Sequence, residues 1–447
     1  MKTILHDEYD AFISAIECQR SEKAVRINRL KLKDYSISDF GNISLSTIEY
    51  AEDCHIINDC EGIGHTPEHH AGIFYAQDPG AMAPVSSLSI EPDFKILDLC
   101  AAPGGKSGQA AAKLGRDGFI LSNEFVPKRA KMLVGNFERL GIKNGLVTSL
   151  DTSAFPKLYD SFFDLVILDA PCSGEGMFRK NSDAIQEWSP ANVKACALRQ
   201  REILENASGL VKDGGYLLYS TCTYSTEENE EVVDAFLKSH TDYELISVKD
   251  EIIKSTASGI KTSDEMTTNI YKTRRFYSHI SRGEGQFIAL LKRNAPLSTP
   301  KILFKDASSP ITKEESKIVE NFFKKNLEKN PEASLRRHGN NIYLISHGLP
   351  LPKNSVFSAG VLLGEIRSGV LFPSHQLFSA YGELFSIKVE LSEHPELLKK
   401  YLHGEEITIE SARSGWCSVQ YKGASLGGGK ISNGKMKNHY PKGLREN

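Results

Sequence analysis

Between about residues 94 and 293, short apolar runs alternate with amphipathic stretches. Runs such as FKILDLC and FFDLVILDA have the length and composition of buried strands, and VPKRAKMLVGNFERLG has the apolar spacing of a surface helix. This pattern predicts seven strands, with a long helix over about 192–211. Repeated strand–helix units indicate an α/β fold with a doubly wound, mostly parallel sheet and helices on both faces.

The pattern on either side of this stretch is more mixed. Before it, FISAIECQ predicts a helix, VRINRLKL a strand and HTPEHHAGIFYAQDPGAMAP a loop. Residues 250–282 are predicted to be irregular, and beyond Pro296 the segment KEESKIVENFFKKN predicts an amphipathic helix, followed by short glycine-rich apolar runs. We therefore predict a division of the chain into four domains, at residues 1–88, 89–294, 295–375 and 376–447.

Composition limits the class of protein. Hydrophobic residues make up 40% and charged residues 25%, which is typical of a globular protein with a large core. No apolar run approaches the roughly 20 residues of a membrane span, and the first residues do not resemble a secretory signal. Eight cysteines without a CxxC pair fit free thiols in a reducing compartment better than disulfides or zinc. We expect a cytoplasmic protein that acts as a monomer.

Histidines and basic residues each form one local cluster. His65, His69 and His70 lie close together in sequence, but no cysteine or carboxylate is placed to complete a familiar ligand set, so we predict no metal site. Residues 422–447 hold six Lys and Arg against one Glu, although the net charge of the chain is −3. This end is either a solvated, partly disordered tail or a surface that faces RNA.

A glycine-rich turn follows the first predicted strand in LDLCAAPGGKS. Such a turn brings backbone N–H groups close to a ligand. Two familiar phosphate-binding patterns fail, because a P-loop needs glycine where Cys100 stands and a dinucleotide motif needs glycine where Lys106 stands.

Acidic residues end four consecutive predicted strands: Asp98, Glu124, Asp151 and Asp169. Open α/β sheets bind ligands at this edge. Acids suit ribose hydroxyls, an adenine amino group and a cationic centre, and they repel triphosphates, which indicates S-adenosylmethionine. A single strand-end aspartate is more often part of a turn or a helix cap, but four in register weaken that interpretation.

Two cysteines follow the next pair of strands, Cys172 in LDAPCSGEG and Cys222 in YSTCTYSTEENE. Both are expected at the same edge of the sheet as the acids. A lone cysteine is usually a small buried hydrophobic residue, whereas two cysteines beside a methyl donor suggest a catalytic role. A thiolate that adds to carbon 6 of a pyrimidine makes carbon 5 nucleophilic enough to take a methyl group, and Asp169 is suited to bond the cytosine edge. The residue pattern alone leaves open which cysteine attacks.

The three motifs LDLCAAPGGK, LDAPCSGEG and YSTCTYSTEENE resemble those of the RsmB/RsmF (Nop/Sun-type) RNA 5-methylcytosine methyltransferases, in the same order and spacing. The resemblance extends upstream to VRINRLK and YAQDPGAM and downstream to RGEGQFIALLKR. The C-terminal segment from GWCSVQYKG onwards is similar to the PUA-like RNA-binding domain of the bacterial RsmF branch. The resemblance implies a class I S-adenosylmethionine-dependent methyltransferase, Rossmann-like with a seven-stranded sheet, between an N-terminal α+β domain and a C-terminal PUA-like domain.

The resemblance also assigns residues. It implies that Cys222 attacks the cytosine and that Cys172 helps to release the methylated base. Lys106 joins the cofactor site because it ends the family's glycine-rich motif, and Gly108 replaces a threonine common in the family at a non-catalytic position. The cofactor site is then expected to comprise Cys100, Ala101, Ala102, Pro103, Gly104, Gly105, Lys106, Glu124, Asp151 and Asp169.

The RsmF branch implies that the RNA partner is small-subunit (16S) ribosomal RNA, free or in the assembled subunit. Three alternatives stay open: a methyltransferase for transfer RNA, a non-catalytic RNA-binding assembly factor, and a methyltransferase for proteins or small molecules. Four basic residues are expected either to contact RNA phosphates or to be ordinary surface charge: Arg179, Lys180, Arg274 and Arg275.

Overall fold

The computed structural model describes residues 1–18, 21–32, 44–58, 62–296, 298–346, 348–409 and 413–446. The N-terminal elements form a four-stranded sheet of order β2-β3-β1-β4 with short helices around it. These elements are α1 (Lys2–Leu5), α2 (Tyr9–Cys18), β1 (Lys23–Ile27), β2 (Ser44–Thr47), β3 (Cys54–Asn58), α3 (Pro67–His70), β4 (Phe74–Ala76) and α4 (Pro79–Ser86).

The prediction of a loop over HTPEHHAGIFYAQDPGAMAP is wrong, because this segment forms α3, β4 and α4. Each helix begins with a side-chain cap followed by proline at the first helical position. Thr66 Oγ1 accepts from the His69 N–H at 3.3 Å, and Asp78 Oδ1 accepts from the Gly80 N–H at 2.8 Å. Such a cap and proline pair starts a helix even where glycine and proline are frequent.

The central region holds the predicted alternation of strands and helices. Its elements are β5 (Lys95–Asp98), α5 (Gly105–Ala111), β6 (Phe119–Asn123), α6 (Pro127–Leu140), β7 (Gly145–Thr148), β8 (Tyr159–Asp160), β9 (Phe163–Asp169), α7 (Ser182–Glu187), α8 (Pro190–Ser208), β10 (Val211–Thr221), α9 (Glu230–Ser239), β11 (Tyr243–Leu245), α10 (Asp250–Lys254), β12 (Ala257–Ser258), β13 (Arg274–Phe276) and β14 (Gln286–Arg293).

The C-terminal region forms two five-stranded sheets and further helices. The predicted amphipathic helix is confirmed as α11, which begins with a capping box between Thr312 and Glu315. The elements are β15 (Lys301–Ile302), β16 (Ser309–Pro310), α11 (Lys313–Asn326), β17 (Ser334–His338), β18 (Asn341–Ile345), β19 (Val356–Ala359), β20 (Val361–Arg367), β21 (Val370–Pro373), α12 (His375–Tyr381), β22 (Lys388–Glu390), α13 (Pro395–His403), β23 (Ile407–Thr408), β24 (Gly415–Tyr421), β25 (Ala424–Ser432) and β26 (Lys435–Asn438).

The central sheet has the order β12-β13-β14-β10-β9-β5-β6-β7-β19, and β11 also pairs with β14. All seven predicted strands are present, and the four inner pairs β10–β9, β9–β5, β5–β6 and β6–β7 are parallel. Three further strands were not predicted. Two of them, β12 and β13, lie within the stretch predicted to be irregular, and the third, β19, comes from the C-terminal region and pairs antiparallel with β7.

The inner strands are buried on both faces, which explains their continuous apolar sequences. Along β9, Leu165 and Ile167 pack into one hydrophobic cluster, and Val166 and Leu168 pack into another. This alternation is that of a strand between two layers of helices. None of the helices in the described ranges is long and apolar enough to cross a membrane.

The basic C-terminal segment is ordered over most of its length. Its strands β25 and β26 lie within a sheet of order β22-β24-β25-β26-β23. The interpretation as a partly disordered tail is therefore wrong for these strands, because apolar side chains such as Leu426, Ile431 and Met436 are buried there.

Candidate active site

The two motif cysteines meet at the carboxyl edge of the central sheet. β9 and β10 are parallel neighbours, with Asp169 opposite Ser220, so the chain leaves both strands at the same place. The Cys172 and Cys222 sulfur atoms are 3.2 Å apart. The Cys222 N–H also donates to the Cys172 sulfur at 3.3 Å. When two thiols are this close, the loss of a proton from one changes the pKa of the other.

The Cys172 thiol holds its proton tightly. The hydrogen bond to Cys222, followed by burial, raises the pKa of Cys172 well above that of a free thiol. Cys172 therefore keeps its proton at neutral pH, and in that form its S–H can donate to the Cys222 sulfur. A hydrogen bond to a sulfur anion stabilises that anion.

The loop that carries Cys172 is held by a buried carboxylate, Glu228, which is fully inaccessible to solvent. Glu228 accepts hydrogen bonds from the Ser173 N–H at 3.0 Å, from the Ser173 hydroxyl and from the Gln200 amide at 2.8 Å. Gln200 also donates to the Pro171 carbonyl at 3.0 Å. Burial raises the pKa of Glu228, and these donors oppose that effect. Sequence reasoning missed Glu228, because it lies in a run of acids after Cys222.

A second carboxylate, Glu175, joins the loops of both cysteines. It accepts from the Thr223 hydroxyl at 3.1 Å and the Tyr224 N–H at 3.0 Å, in the residues directly after Cys222. Its other oxygen accepts from the Trp188 indole N–H at 2.8 Å. Glu175 was also missed, although its position three residues after Cys172 was a signal.

The glycine-rich turn lies between β5 and α5, beside the cysteines. Gly104 precedes α5 with a φ of 110°, where a side chain is strained, and a Cβ there would lie 2.8 Å from Leu133 Cδ1. The turn is also held from α6, since Arg129 donates to the Ala102 carbonyl at 2.9 Å and Asn136 donates to the Pro103 carbonyl at 2.8 Å. The turn is therefore a rigid backbone surface.

Three of the four strand-end acids converge. Burial raises the pKa of the Cys100 thiol, and the charges of Asp98, Asp169 and Glu124 raise it further, so all three carboxylates lie near this thiol. Burial raises the pKa of Asp98 to about 7, although the Ser107 hydroxyl donates to it at 2.6 Å.

The other two acids of this group have basic partners. Glu124 is buried, accepts from the Val126 N–H at 2.9 Å and lies 3.3 Å from Arg129. Asp169 lies between the Lys106 ammonium at 2.8 Å and the Ser220 hydroxyl at 2.7 Å. Carboxylates near a rigid glycine turn are hydrogen-bond acceptors that fit S-adenosylmethionine, which carries ribose hydroxyls, an amino group and a sulfonium cation.

Asp151 differs from the other acids. It is exposed, and its Oδ1 accepts from the Ser153 N–H at 2.9 Å and the Ser153 hydroxyl at 2.6 Å, which lowers its pKa. It caps the short 3-10 helix Thr152–Lys157. This is the cap role that a single strand-end aspartate most often has, and a cofactor role for Asp151 stays a prediction.

The expectation that Arg274 and Arg275 contact phosphate is wrong. The Arg275 side chain is 2% exposed and forms an ion pair with Glu230, whose side chain is fully buried. Arg274 is also buried and donates to the Thr256 hydroxyl at 2.9 Å. Both residues lie in β13, a strand that was not predicted, so their burial was not anticipated.

Arg179 is likewise not available to RNA. Its side chain is 6% exposed, lies 2.8 Å from the Glu284 carboxylate and donates to the Gly283 carbonyl at 2.7 Å. Lys180 is partly exposed, but its ammonium lies 2.6 Å from the Asp78 carboxylate. These cations fasten the Cys172 loop to neighbouring segments, and the expectation of a phosphate contact is wrong for Arg179.

The histidine cluster has a structural partner in the C-terminal region. His70 Nδ1 lies 2.8 Å from the Tyr440 hydroxyl, and its Nε2 lies 3.2 Å from the Glu446 carboxylate. Within the described residues, no group of three or more His, Cys, Asp and Glu side chains has the arrangement of a metal site.

Three family models match the chain. The model of the N-terminal domain of 16S rRNA methyltransferase RsmF matches residues 1–79, and the model of 16S rRNA methyltransferase RsmB/F matches residues 85–292. The model of the methyltransferase RsmF PUA domain matches residues 387–446. The matches follow one another in chain order, and the central one contains both cysteines and the glycine turn.

Curated relatives are similar over nearly the full length. Ribosomal RNA small subunit methyltransferase F of Vibrio vulnificus (strain YJ016) is 30% identical over 464 residues, which cover 99% of this chain and 96% of the relative. The protein of the same name from Klebsiella pneumoniae (strain 342) is 30% identical over 466 residues, which cover 98% and 93%.

Solved structures share the fold of the central region. A methyltransferase homologue from Pyrococcus horikoshii has a TM-score of 0.55 and 26% identity, and the match covers 64% of this chain and 91% of that one. NSun6 from Pyrococcus horikoshii with SFG has a TM-score of 0.55 and 19% identity, over 65% and 95% of the two chains. At that identity the second match bears on the fold alone.

Proposed function

Because the chain belongs to the RsmB/F family of 16S rRNA methyltransferases, we propose that it forms 5-methylcytosine in small-subunit ribosomal RNA, free or in the assembled subunit. Cys222 is the nucleophile of this reaction and Cys172 assists it. The observation that carries the proposal is the pair of sulfur atoms 3.2 Å apart, beside three converging strand-end acids. A protein that only binds RNA has no need of this arrangement.

Proteins of this family use S-adenosylmethionine, which supplies the methyl group. The backbone of the glycine turn, from Cys100 to Lys106, supports the cofactor. Glu124 is buried at the end of β6, where an acid can accept from ribose hydroxyls. Asp169 is held by Lys106 and Ser220, which fix its carboxylate at the edge that the cofactor and the base share.

Cys222 begins the reaction as a thiolate. Its sulfur forms a bond to carbon 6 of the cytosine, and the electrons of the ring double bond move to carbon 5, which takes up the methyl group. The proton on carbon 5 then passes to a base, the double bond reforms and the bond from Cys222 to carbon 6 breaks. The high pKa of Cys172 supports its role in this last step, because a protonated thiol can donate a hydrogen bond to the departing sulfur anion.

The target base must leave its stack to reach Cys222, so the RNA is held on both sides of the site. The segment similar to the RsmF PUA domain supports such a role, since it presents exposed Lys430, Lys435 and Lys437 on β25 and β26. An enzyme with this substrate works in the cytoplasm, and we propose that it acts as a monomer. The division into four domains, at the boundaries given above, remains a prediction.

The proposal is tested by methyl transfer from labelled S-adenosylmethionine to unmodified 16S rRNA, to small subunits that contain it and to transfer RNA. We expect label in one of the two ribosomal substrates, released as 5-methylcytosine after nuclease digestion. Label in transfer RNA alone would overturn the substrate, and label in a product other than 5-methylcytosine would overturn the reaction.

A further inference from the structure

Trp188 is a large aromatic side chain at the surface beside the cysteines. It follows α7 and precedes α8, and 39% of it is exposed. Single exposed apolar residues are common on protein surfaces and indicate nothing by themselves. The way in which the indole ring is held distinguishes this one.

The Trp188 ring is fixed at one edge by the carboxylate that organises the Cys222 loop. Its N–H donates to Glu175 Oε1 at 2.8 Å, while Glu175 Oε2 accepts from Thr223 and Tyr224. The Gly176 N–H donates to the Cys222 carbonyl at 2.9 Å, which brings the same loop against the nucleophile. The ring therefore has a defined position relative to Cys222.

The same network reaches the Cys172 loop. The Ser173 hydroxyl lies 2.9 Å from the Thr223 hydroxyl, and Thr223 in turn donates to Glu175. A side chain that served only to pack would bury its ring. Here the polar edge of Trp188 is satisfied inside the protein and part of its apolar surface is left in water, where an aromatic surface can accept another flat ring.

Exposed cations lie on α8, the helix that follows Trp188. Lys194, Leu198 and Arg201 are all exposed, and their spacing puts them on one face of the helix. Among the residues that the structure describes, neither Lys194 nor Arg201 forms an ion pair. The hydrogen bond from Ser225 and, as a smaller effect, the charge of Lys194 lower the pKa of Glu227. Exposed cations together with an exposed aromatic ring are the combination with which proteins hold single-stranded nucleic acid, through phosphates and stacked bases.

We propose that Trp188 is a stacking platform for an RNA base next to the target cytosine. This inference rests on the proposed function. The stack positions the strand on either side of the flipped base, and the Glu175 carboxylate holds the platform at a constant distance from Cys222. Trp188 is a positioning residue for the substrate and takes no part in bond formation. Because every base has an aromatic face, the platform tolerates different neighbouring bases.

The first test uses fluorescence, because the chain has two tryptophans and the other, Trp416, is only 6% exposed. We expect unmodified 16S rRNA to quench the wild-type tryptophan emission, and we expect Trp188→Phe to remove most of that change while RNA still binds in a filter assay; the remainder comes from Trp416, which Lys430 contacts. Quenching that is equal in wild type and Trp188→Phe would overturn the proposal.

The second test separates stacking from a merely structural role by steady-state kinetics. Trp188→Leu is expected to raise the KM for RNA about tenfold or more, the loss expected for one base stack, with kcat changed by less than about threefold. Trp188→Phe keeps a flat ring and is expected to recover most of the KM. Phe372→Leu, at an exposed aromatic on edge strand β21 of a different sheet, is the matched control and should leave both constants unchanged.

A fall in kcat with unchanged KM in both Trp188 variants would contradict stacking and would instead assign Trp188 to holding the Cys222 loop. Circular dichroism melting of each variant identifies loss of fold. If the wild-type enzyme methylates no RNA, the proposed function fails, whereas methylation with an unchanged KM in Trp188→Leu refutes the platform alone.

Discussion

Replacing Arg275 by methionine is expected to destabilise the fold, not to remove a contact with RNA. The Arg275 side chain is 2% exposed, and the Glu230 side chain that pairs with it is fully buried. Arg275 also donates to the Tyr224 carbonyl at 2.8 Å, two residues after Cys222. Methionine keeps much of the volume but leaves the Glu230 carboxylate buried, with the Ile260 N–H at 3.0 Å as a remaining donor.

The size of the effect follows from this burial. Removing one partner of a buried ion pair costs about 3–5 kcal/mol, because the other charge is left uncompensated. Domains are typically stable by about 5–15 kcal/mol, so the loss is a large part of the total. The double variant Arg275→Met/Glu230→Gln removes both charges and should recover much of the loss. The loop that carries Cys222 loses one anchor in either variant.

Urea unfolding, followed by circular dichroism, measures the stability of wild type, single variant and double variant. The salt dependence of RNA binding is measured on the same proteins. We expect a lower unfolding midpoint for Arg275→Met and an unchanged salt dependence. Two results together would refute the buried ion pair: an unchanged unfolding midpoint, and a slope of log binding constant against log salt concentration that is smaller by about one. They would show instead that Arg275 contacts an RNA phosphate.

Three further predictions concern the site. Glu228→Gln replaces a carboxylate that accepts hydrogen bonds from the Cys172 loop by a neutral amide. We expect the free energy of unfolding to fall by about 1–3 kcal/mol and kcat to fall as well. Unchanged values of both would contradict the role of Glu228 as an anchor of this loop. Gly104→Ala introduces a Cβ at a φ of 110° and 2.8 Å from Leu133 Cδ1. Equilibrium binding should then show that the folded variant has a weaker affinity for S-adenosylmethionine. An unchanged affinity would argue against a rigid turn. Asp98 has its pKa raised from 3.8 to about 7, so its contribution to the stability of the cofactor-free protein is complete below pH 4 and is lost as pH rises through about 7. The unfolding free energy of Asp98→Asn relative to wild type should therefore rise over this pH window by at most about 4 kcal/mol. A difference that does not change with pH would show that burial does not raise the pKa of Asp98.

The parallel strands were predictable because both their faces are buried, which leaves continuous apolar runs such as that of β9. Strand β19 was not predictable in the same way. It pairs with β7 across more than 200 residues, with Val356 opposite Thr148, and local patterns carry no information on such a pairing. The helices α3 and α4 were missed although their capping residues are visible in the sequence.

The meeting of Cys172 and Cys222 followed from strand order, because residues after adjacent parallel strands share one edge. The supporting acids could not be recognised in this way. In a run such as EENEE, a buried Glu228 has the same letter as a solvated glutamate, and only the donors around it identify its role. The charge of Arg275 was misinterpreted for the same reason, since its partner Glu230 lies 45 residues earlier.

The central claim is that Cys222 forms the covalent bond to cytosine and that Cys172 assists its release. The most direct test incubates wild type, Cys222→Ala and Cys172→Ala with unmodified small-subunit RNA and S-adenosylmethionine, and analyses the mixtures on denaturing gels. We predict a trapped protein–RNA adduct with Cys172→Ala, and neither adduct nor methylated product with Cys222→Ala. An adduct that forms with Cys222→Ala and disappears with Cys172→Ala would contradict the account and reverse the roles of the two thiols.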